Sequence, residues 1–212
     1  MPKTGLHNFV DTHQSAWDKD YRNRGRLWGS AVKNLPTLPA ASAVLELGCG
    51  DGKTLAGMPG DWRIAAVDIS REALRLCRAS PTVAGLVQAD ARVLPFRDAS
   101  FDAVFAFHVT GHLRAQARGA LAREAARVLS VGGKLFFREF GAEDMRAGQG
   151  EEVESGTFRR GAGMLTHYFI DEEVLQLFCD LKVESIRTHR WKMRVKGKEL
   201  PRAEIEAVFL KS

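Results

Sequence analysis

The sequence predicts an α/β fold in which a mostly parallel sheet is wrapped by helices. Three observations carry that expectation. From residue 43 onward, short apolar runs ending in Gly or Asp alternate with helical patterns; a glycine-rich turn, ELGCGDG (46–52), follows the first of those runs; and the chain finishes on two long segments that suit an antiparallel hairpin. The 212 residues, 45% of them hydrophobic, are enough for one domain with a sizeable core.

Taken in order, residues 1 to about 40 stand apart as a mixed aromatic and charged segment ending in LPTLPA, and residues 41–212 read as the main domain. Trp17, Tyr21 and Trp28 in the first segment suit either a lid over a ligand or packing against a sheet edge, with packing the simpler reading for each. The expected strands are AVLELG (43–48), RIAAVD (63–68), GLVQAD (85–90), FDAVFAFH (101–108) and KLFFREF (134–140). Between them SREALRLCRAS opens with Ser70 as an N-cap, and ARGALAREAARVLS places Ala and Leu at helical spacing, so both read as crossover helices. A glycine-rich, charged insertion at about 141–166 is too polar for core. DEEVLQLFCDL then reads as a helix with acids in its first turn, where the helix dipole favours them. Two strands, about 183–195 and 203–211, are joined by KGKELPR, whose Gly197 and Pro201 suit a turn.

Composition narrows the function classes. No stretch approaches the roughly 18 apolar residues of a membrane helix, and the first thirty residues lack a signal-peptide apolar segment, so a soluble cytoplasmic protein is expected. Cys49, Cys77 and Cys179 are odd in number with no CxxC pair, which predicts free thiols and no metal site. The net charge of +5 permits an anionic partner such as RNA but is modest for a dedicated nucleic-acid binder.

The glycine turn carries the chemistry. A phosphate-binding P-loop would need a glycine at position 47, where Leu47 stands, and a dinucleotide fingerprint would need one at 53, where Lys53 stands. The spacing is G-x-G-x-G at Gly48, Gly50 and Gly52. Glu46 and Asp51 would repel a pyrophosphate but attract a ligand with an ammonium and a sulfonium, which describes S-adenosylmethionine (SAM). The second strand ends at Asp68, where a carboxylate can accept both ribose hydroxyls of a nucleoside, and the third ends near Asp90, placed to accept from an adenine amino group while the Ala91 backbone reads a ring nitrogen. Asp68 and Asp90 also suit plain helix capping, which is compatible with cofactor binding.

The ordered set E-x-G-x-G-x-G, Asp68, Asp90, LPF (94–96), FDAVFAFHV and ARVLSVGGKL, over residues 43–212, resembles the successive motifs of class I SAM-dependent methyltransferases. That resemblance implies a Rossmann-like, seven-stranded sheet with an antiparallel last strand and helices on both faces. It implies methyl transfer from SAM, with Glu46, Gly48, Cys49, Gly50, Gly52, Asp68, Ile69, Asp90 and Ala91 as the cofactor site. His108, ending the fourth strand, and Arg138 in the fifth are the acceptor-side candidates, whereas His112 reads as a helix-start residue and Phe136 and Phe137 as core. In-line methyl transfer demands no obligatory acid or base, so the sequence does not fix one.

LFFREFG followed by DMR, then GTFRRGAGMLTHYFIDEEVLQLF, with AWDKDYRNRGRLW near the start, is similar to the tRNA 3-methylcytidine methyltransferases of the methyltransferase-like group, with Glu139 and Phe140 where that group has Asp and Tyr. The resemblance implies a tRNA base as acceptor. In RWKMRVKGK the cations Arg190, Lys192, Arg194, Lys196 and Lys198 recur with period two, so a strand would align them along a phosphate backbone, with Arg138, Arg159 and Arg160 adding to that side. A solvated, aggregation-resistant edge gives the same pattern. A small-molecule acceptor, a non-catalytic SAM- or RNA-binding subunit and an NAD-dependent reductase are the competing functions.

Overall fold

The computed structural model describes residues 4–25, 34–78, 85–160 and 163–212, with side chains from residue 13 onward. Trp28 lies outside the described residues. The chain divides into two compact units, Met1–Pro95 and Phe96–Ser212.

In the first unit, helix α1 (Thr4–Arg24) precedes β1 (Ala43–Leu47), β2 (Arg63–Asp68), α2 (Arg71–Cys77) and β3 (Gly85–Gln88). β1 pairs parallel with β2, and β2 with β3. Val44, Leu45, Leu47, Ala66 and Val67 are fully buried, as continuous apolar runs of a parallel sheet covered on both faces should be. Ser70 caps α2 as the sequence predicts, its hydroxyl accepting from the Ala73 amide at 3.1 Å. Asp18 of α1 reinforces the same helix start by accepting from the Ser70 hydroxyl at 2.6 Å and the Glu72 amide at 3.2 Å. The crossover from β1 to β2 holds only a 3-10 turn at Leu55–Gly57, because Gly57, Pro59 and Gly60 leave no room for a full helix.

The second unit contains β4 (Phe101–Phe107), α3 (Ala115–Val128), β5 (Leu129–Phe140), β6 (Glu151–Glu154), β7 (Thr157–Arg160), β8 (Met164–His167), α4 (Asp171–Leu177), β9 (Lys182–Val195) and β10 (Lys198–Leu210). Strand β5 starts five residues before the expected 134. The seven-stranded sheet runs β3-β2-β1-β4-β5-β10-β9, with the last strand β10 antiparallel to β5 and β9, as expected.

Two expectations need correction. The 141–166 insertion is not merely polar loop: β6, β7 and β8 form an antiparallel three-stranded sheet with Thr157 and His167 buried. His167 is held between the Thr157 hydroxyl at 2.8 Å and Glu173 at 2.7 Å, and the buried Arg118 donates to the Leu113 carbonyl at 2.9 Å. Polar residues build this small sheet because their partners are also polar. The terminal hairpin turns on Lys196-Gly197 alone, both at positive φ, and Pro201 sits inside β10. β10 pairs with β5 only from Glu204 onward, so no β5 residue stands opposite Pro201, and its carbonyl accepts from the Met145 amide at 2.9 Å.

Candidate active site

The glycine turn is held open by its own backbone geometry. Gly48, Gly50 and Gly52 all adopt positive φ (65°, 55° and 85°), the left-handed region that side-chain-bearing residues avoid. A β-carbon on Gly50 would lie 2.7 Å from the Tyr21 hydroxyl, so α1 closes directly over the turn, and the buried Tyr21 is the lid-segment aromatic that reaches the predicted site. Trp17 packs behind it, with ring centroids 5.9 Å apart.

Asp68 ties the turn to the end of β2. Its Oδ2 accepts from the Gly50 amide at 2.9 Å and its Oδ1 from the Ser70 amide at 2.8 Å. Burial raises its pKa to about 6, against the lowering effect of those two amides. The Ile69 amide also lowers it, so three of the carboxylate's roughly four acceptor directions are engaged and about one is left for a ligand hydroxyl. Glu46 is 2% exposed, and among the described residues nothing donates to its Oε2. Burial pushes its carboxyl well above the ordinary range, although a Thr54 hydrogen bond opposes this. A buried, orphaned carboxylate oxygen beside a bare turn fits a cationic donor such as an ammonium group. Cys49 and Cys77 are buried free thiols with sulfurs 3.7 Å apart, which places the turn firmly against α2.

Asp90 lies just beyond β3, in an isolated bridge to Val93, rather than in the strand as expected. Its carboxylate accepts from the Arg92 side chain at 2.9 and 3.0 Å and from the Arg92 amide at 2.9 Å. Burial would raise its pKa, but the Arg92 bonds outweigh it and hold the carboxyl below its ordinary value. An adenine amino group would therefore share Asp90 with a guanidinium. Ile69 and Ala91 are half-buried.

The acceptor-side candidates lie in the second unit, each beside glutamates. His108 has φ +53° at the end of β4, a strained position for a non-glycine residue. Its Nε2 is 3.1 Å from Glu204 and its Nδ1 3.8 Å from Glu139, while its ring lies 4.5 Å from that of Phe140. Burial would lower its pKa, yet the two glutamates raise it to about 9, so His108 is an imidazolium at neutral pH. Arg138 reaches Glu206 at 2.7 Å and Glu204 at 3.6 Å, with its guanidinium 4.6 Å from the Phe107 ring centroid. Glu139, 2% exposed, also accepts from the Gly111 amide at 2.8 Å and so fixes the Thr110–His112 turn. His112 bonds the Leu165 carbonyl at 2.7 Å, and Phe136 and Phe137 are core. The alternation of KLFFREF places Glu139 on the face opposite Arg138, a signal that was legible; Glu204 reaches His108 only through the β5–β10 register, which no local pattern encodes.

Two cations of the expected basic row lie beside carboxylates at exposed positions, and Arg194 is exposed on β9. Arg190 makes paired bonds of 2.6 and 2.7 Å to Glu143, Lys192 lies 3.5 Å from Glu199, Arg159 bonds Glu151 at 3.0 Å, and Lys196 lies in the turn instead of a strand. No described helix is long and apolar enough to cross a membrane, and among the described residues no group of three His, Cys, Asp or Glu is placed to hold a metal ion.

A family model described as a methyltransferase domain matches residues 45–137. Among curated proteins, a tRNA (carboxymethyluridine(34)-5-O)-methyltransferase of Arabidopsis thaliana is 33% identical over 55% of this chain and 28% of its own length. A fatty-acid O-methyltransferase of Mycolicibacterium smegmatis is 37% identical over 45% of this chain and 36% of its own length. The chain thus spans only about a third of these relatives. The crystal structure of a SAM-dependent methyltransferase from Methanosarcina mazei superposes with a TM-score of 0.66 at 24% identity, covering 82% of this chain and 95% of that one. A methyltransferase domain model thus matches residues 45–137, and the strand order and structural likeness give the chain the fold of the SAM-dependent methyltransferases.

Proposed function

We propose that this chain transfers a methyl group from SAM to an oxygen that is already anionic, namely a carboxylate carried by a tRNA. The observation that carries the acceptor class is the setting of His108: its Nε2 lies 3.1 Å from Glu204, its Nδ1 has no hydrogen-bond partner among the described residues, and Glu139 and Glu204 raise its pKa to about 9, so it holds its proton at neutral pH and is no base for an acceptor. A neutral hydroxyl would need such a base; a carboxylate needs none. The names of two relatives fit this reading, one an O-methyltransferase of a carboxymethyluridine in tRNA and the other a fatty-acid O-methyltransferase. The finer sequence resemblance implies a cytidine ring nitrogen, which likewise needs no base; the names of the two relatives favour the carboxylate over it.

On this reading Glu46 accepts from the ligand ammonium, the backbone of Gly48, Cys49, Gly50 and Gly52 lines the methionine end, Asp68 and Ile69 hold the ribose, and Asp90 and Ala91 meet the adenine. Bound SAM supplies an activated methyl group on a sulfonium. Transfer to an already anionic oxygen would leave no proton to move, so this chain's residues would need only to align the acceptor and exclude water. His108 and Arg138 position the acceptor side through the Glu139 and Glu204 network.

The test is incubation with tritiated SAM and total tRNA, set against a pool of fatty acids, followed by mild alkali. Label in tRNA that alkali releases as methanol supports a methyl ester; alkali-stable label in tRNA contradicts the carboxylate assignment. Label confined to the fatty acids favours the second reading, a small carboxylic acid, for which the 37% identity to the mycobacterial enzyme speaks.

A further inference from the structure

The side of the terminal hairpin opposite the basic row carries a different kind of surface. Residues directly opposite in register share a face, so Trp191 and Arg202 stand side by side, with Arg202's guanidinium 5.3 Å from the Trp191 ring centroid. Two residues along β9 the His189 ring stacks on Trp191 at 5.3 Å and 30°. In the other direction Arg202 lies 5.4 Å from the Phe140 ring, which Arg146 covers at 3.9 Å and His108 flanks at 4.5 Å. The buried Asp144 fixes both guanidiniums, bonding Arg202 and Arg146 at 2.6 and 2.7 Å. The result is a continuous row of rings and planar cations, from the exposed His189 on the edge strand to His108 at the end of β4.

We propose that His189 and Trp191, with Arg202 beside them, form a stacking site for an unpaired base of the RNA acceptor; the inference rests on the tRNA reading above. Aromatic rings serve single-stranded nucleic acid because every base has a π-face, and guanidiniums add both stacking and attraction for phosphate. Arg187, exposed on the same face of β9, is a further cation beside His189, with Glu206 and Glu204 opposite the two in register. The opposite face, with Arg190, Lys192 and Arg194, offers no ring on which a base could stack. Nucleic-acid contact therefore falls to the aromatic face.

The experiment measures binding of total tRNA to the full chain by fluorescence anisotropy, alongside SAM affinity and melting temperature as controls on folding. Trp191→Ala is expected to weaken tRNA binding about 10-fold, the loss of one stacked base, while Trp191→Phe, which keeps a ring, retains most of it. His189→Ala, at an exposed position, gives a smaller loss in the same direction. Charge reversal at Arg190 has little effect. If the wild type binds and methylates tRNA and both alanine variants bind it equally well, the stacking site is wrong and the tRNA reading stands. If the wild type neither binds nor methylates tRNA, both fall. Loss of binding to anionic phospholipid vesicles in Trp191→Ala, with tRNA binding intact, would also overturn the proposal.

Discussion

The Tyr21 hydroxyl stands 2.7 Å from where a β-carbon on Gly50 would be, so the N-terminal helix and the glycine turn fit together only while position 50 is bare. Gly50→Ala faces both this clash and a φ of +55°. We expect a loss of about 1–2 kcal/mol from the backbone conformation alone, read by chemical denaturation, and a larger loss in SAM affinity. The double variant with Tyr21→Phe should recover part of the stability but not the backbone component, so a cycle of the two separates clash from strain.

Glu46 opposes folding and binding requirements. An orphaned buried carboxylate weakens the free protein, so Glu46→Gln is expected to raise the melting temperature without ligand while weakening SAM binding by about 1–3 kcal/mol. Calorimetry and thermal unfolding on the same samples check the two signs.

Asp68 sets a pH dependence near 6. An unfolded chain titrates this carboxyl near 3.8, and the folded protein holds its proton up to about 6. Stability from this group is therefore present at low pH and declines as pH rises across that interval. Ligand binding moves oppositely, because the ionised carboxylate is the better acceptor for ribose hydroxyls. SAM affinity should rise between about pH 5 and 7, and Asp68→Asn should flatten that rise.

His108 works with the other sign. Its pKa is raised from 6.5 to about 9, so its stabilising contribution is complete below 6.5 and is lost as pH climbs through 9. The imidazole is 35% exposed, which limits the effect to about 1 kcal/mol after solvent screening. Unfolding followed from pH 7 to 10 should show this decline in the wild type and a reduced one in His108→Gln.

Thiol accessibility tests the packing behind the turn. Cys179 is exposed, whereas Cys49 and Cys77 are buried, and the Cys49 thiol is pushed up by its hydrogen bond with Cys77 and by burial. A chromogenic disulfide reagent should react rapidly with one thiol in the native protein and with the other two only on unfolding.

The parallel core was legible because its strands are continuous apolar runs punctuated by Gly and Asp, and those same punctuating residues build the glycine turn. What escaped was set by register. Glu204 meets His108 through pairing across two strands, and the even-numbered cations of β9 meet glutamates from Glu143 and β10 that no period-two pattern reveals. The β6–β8 sheet escaped because its stabilisation is polar, through His167, Thr157 and Glu173, where sequence patterning looks for hydrophobic alternation.

The crossover after β1 is a three-residue 3-10 turn where a longer helix would otherwise brace the glycine loop. The loop relies instead on Asp68 below and α1 above. Residence time of the bound nucleoside should then follow the breathing of α1: trimming the chain ahead of Tyr21 would quicken departure of spent product far more than it slows capture of fresh donor, making turnover sensitive to a segment that touches neither reacting atom.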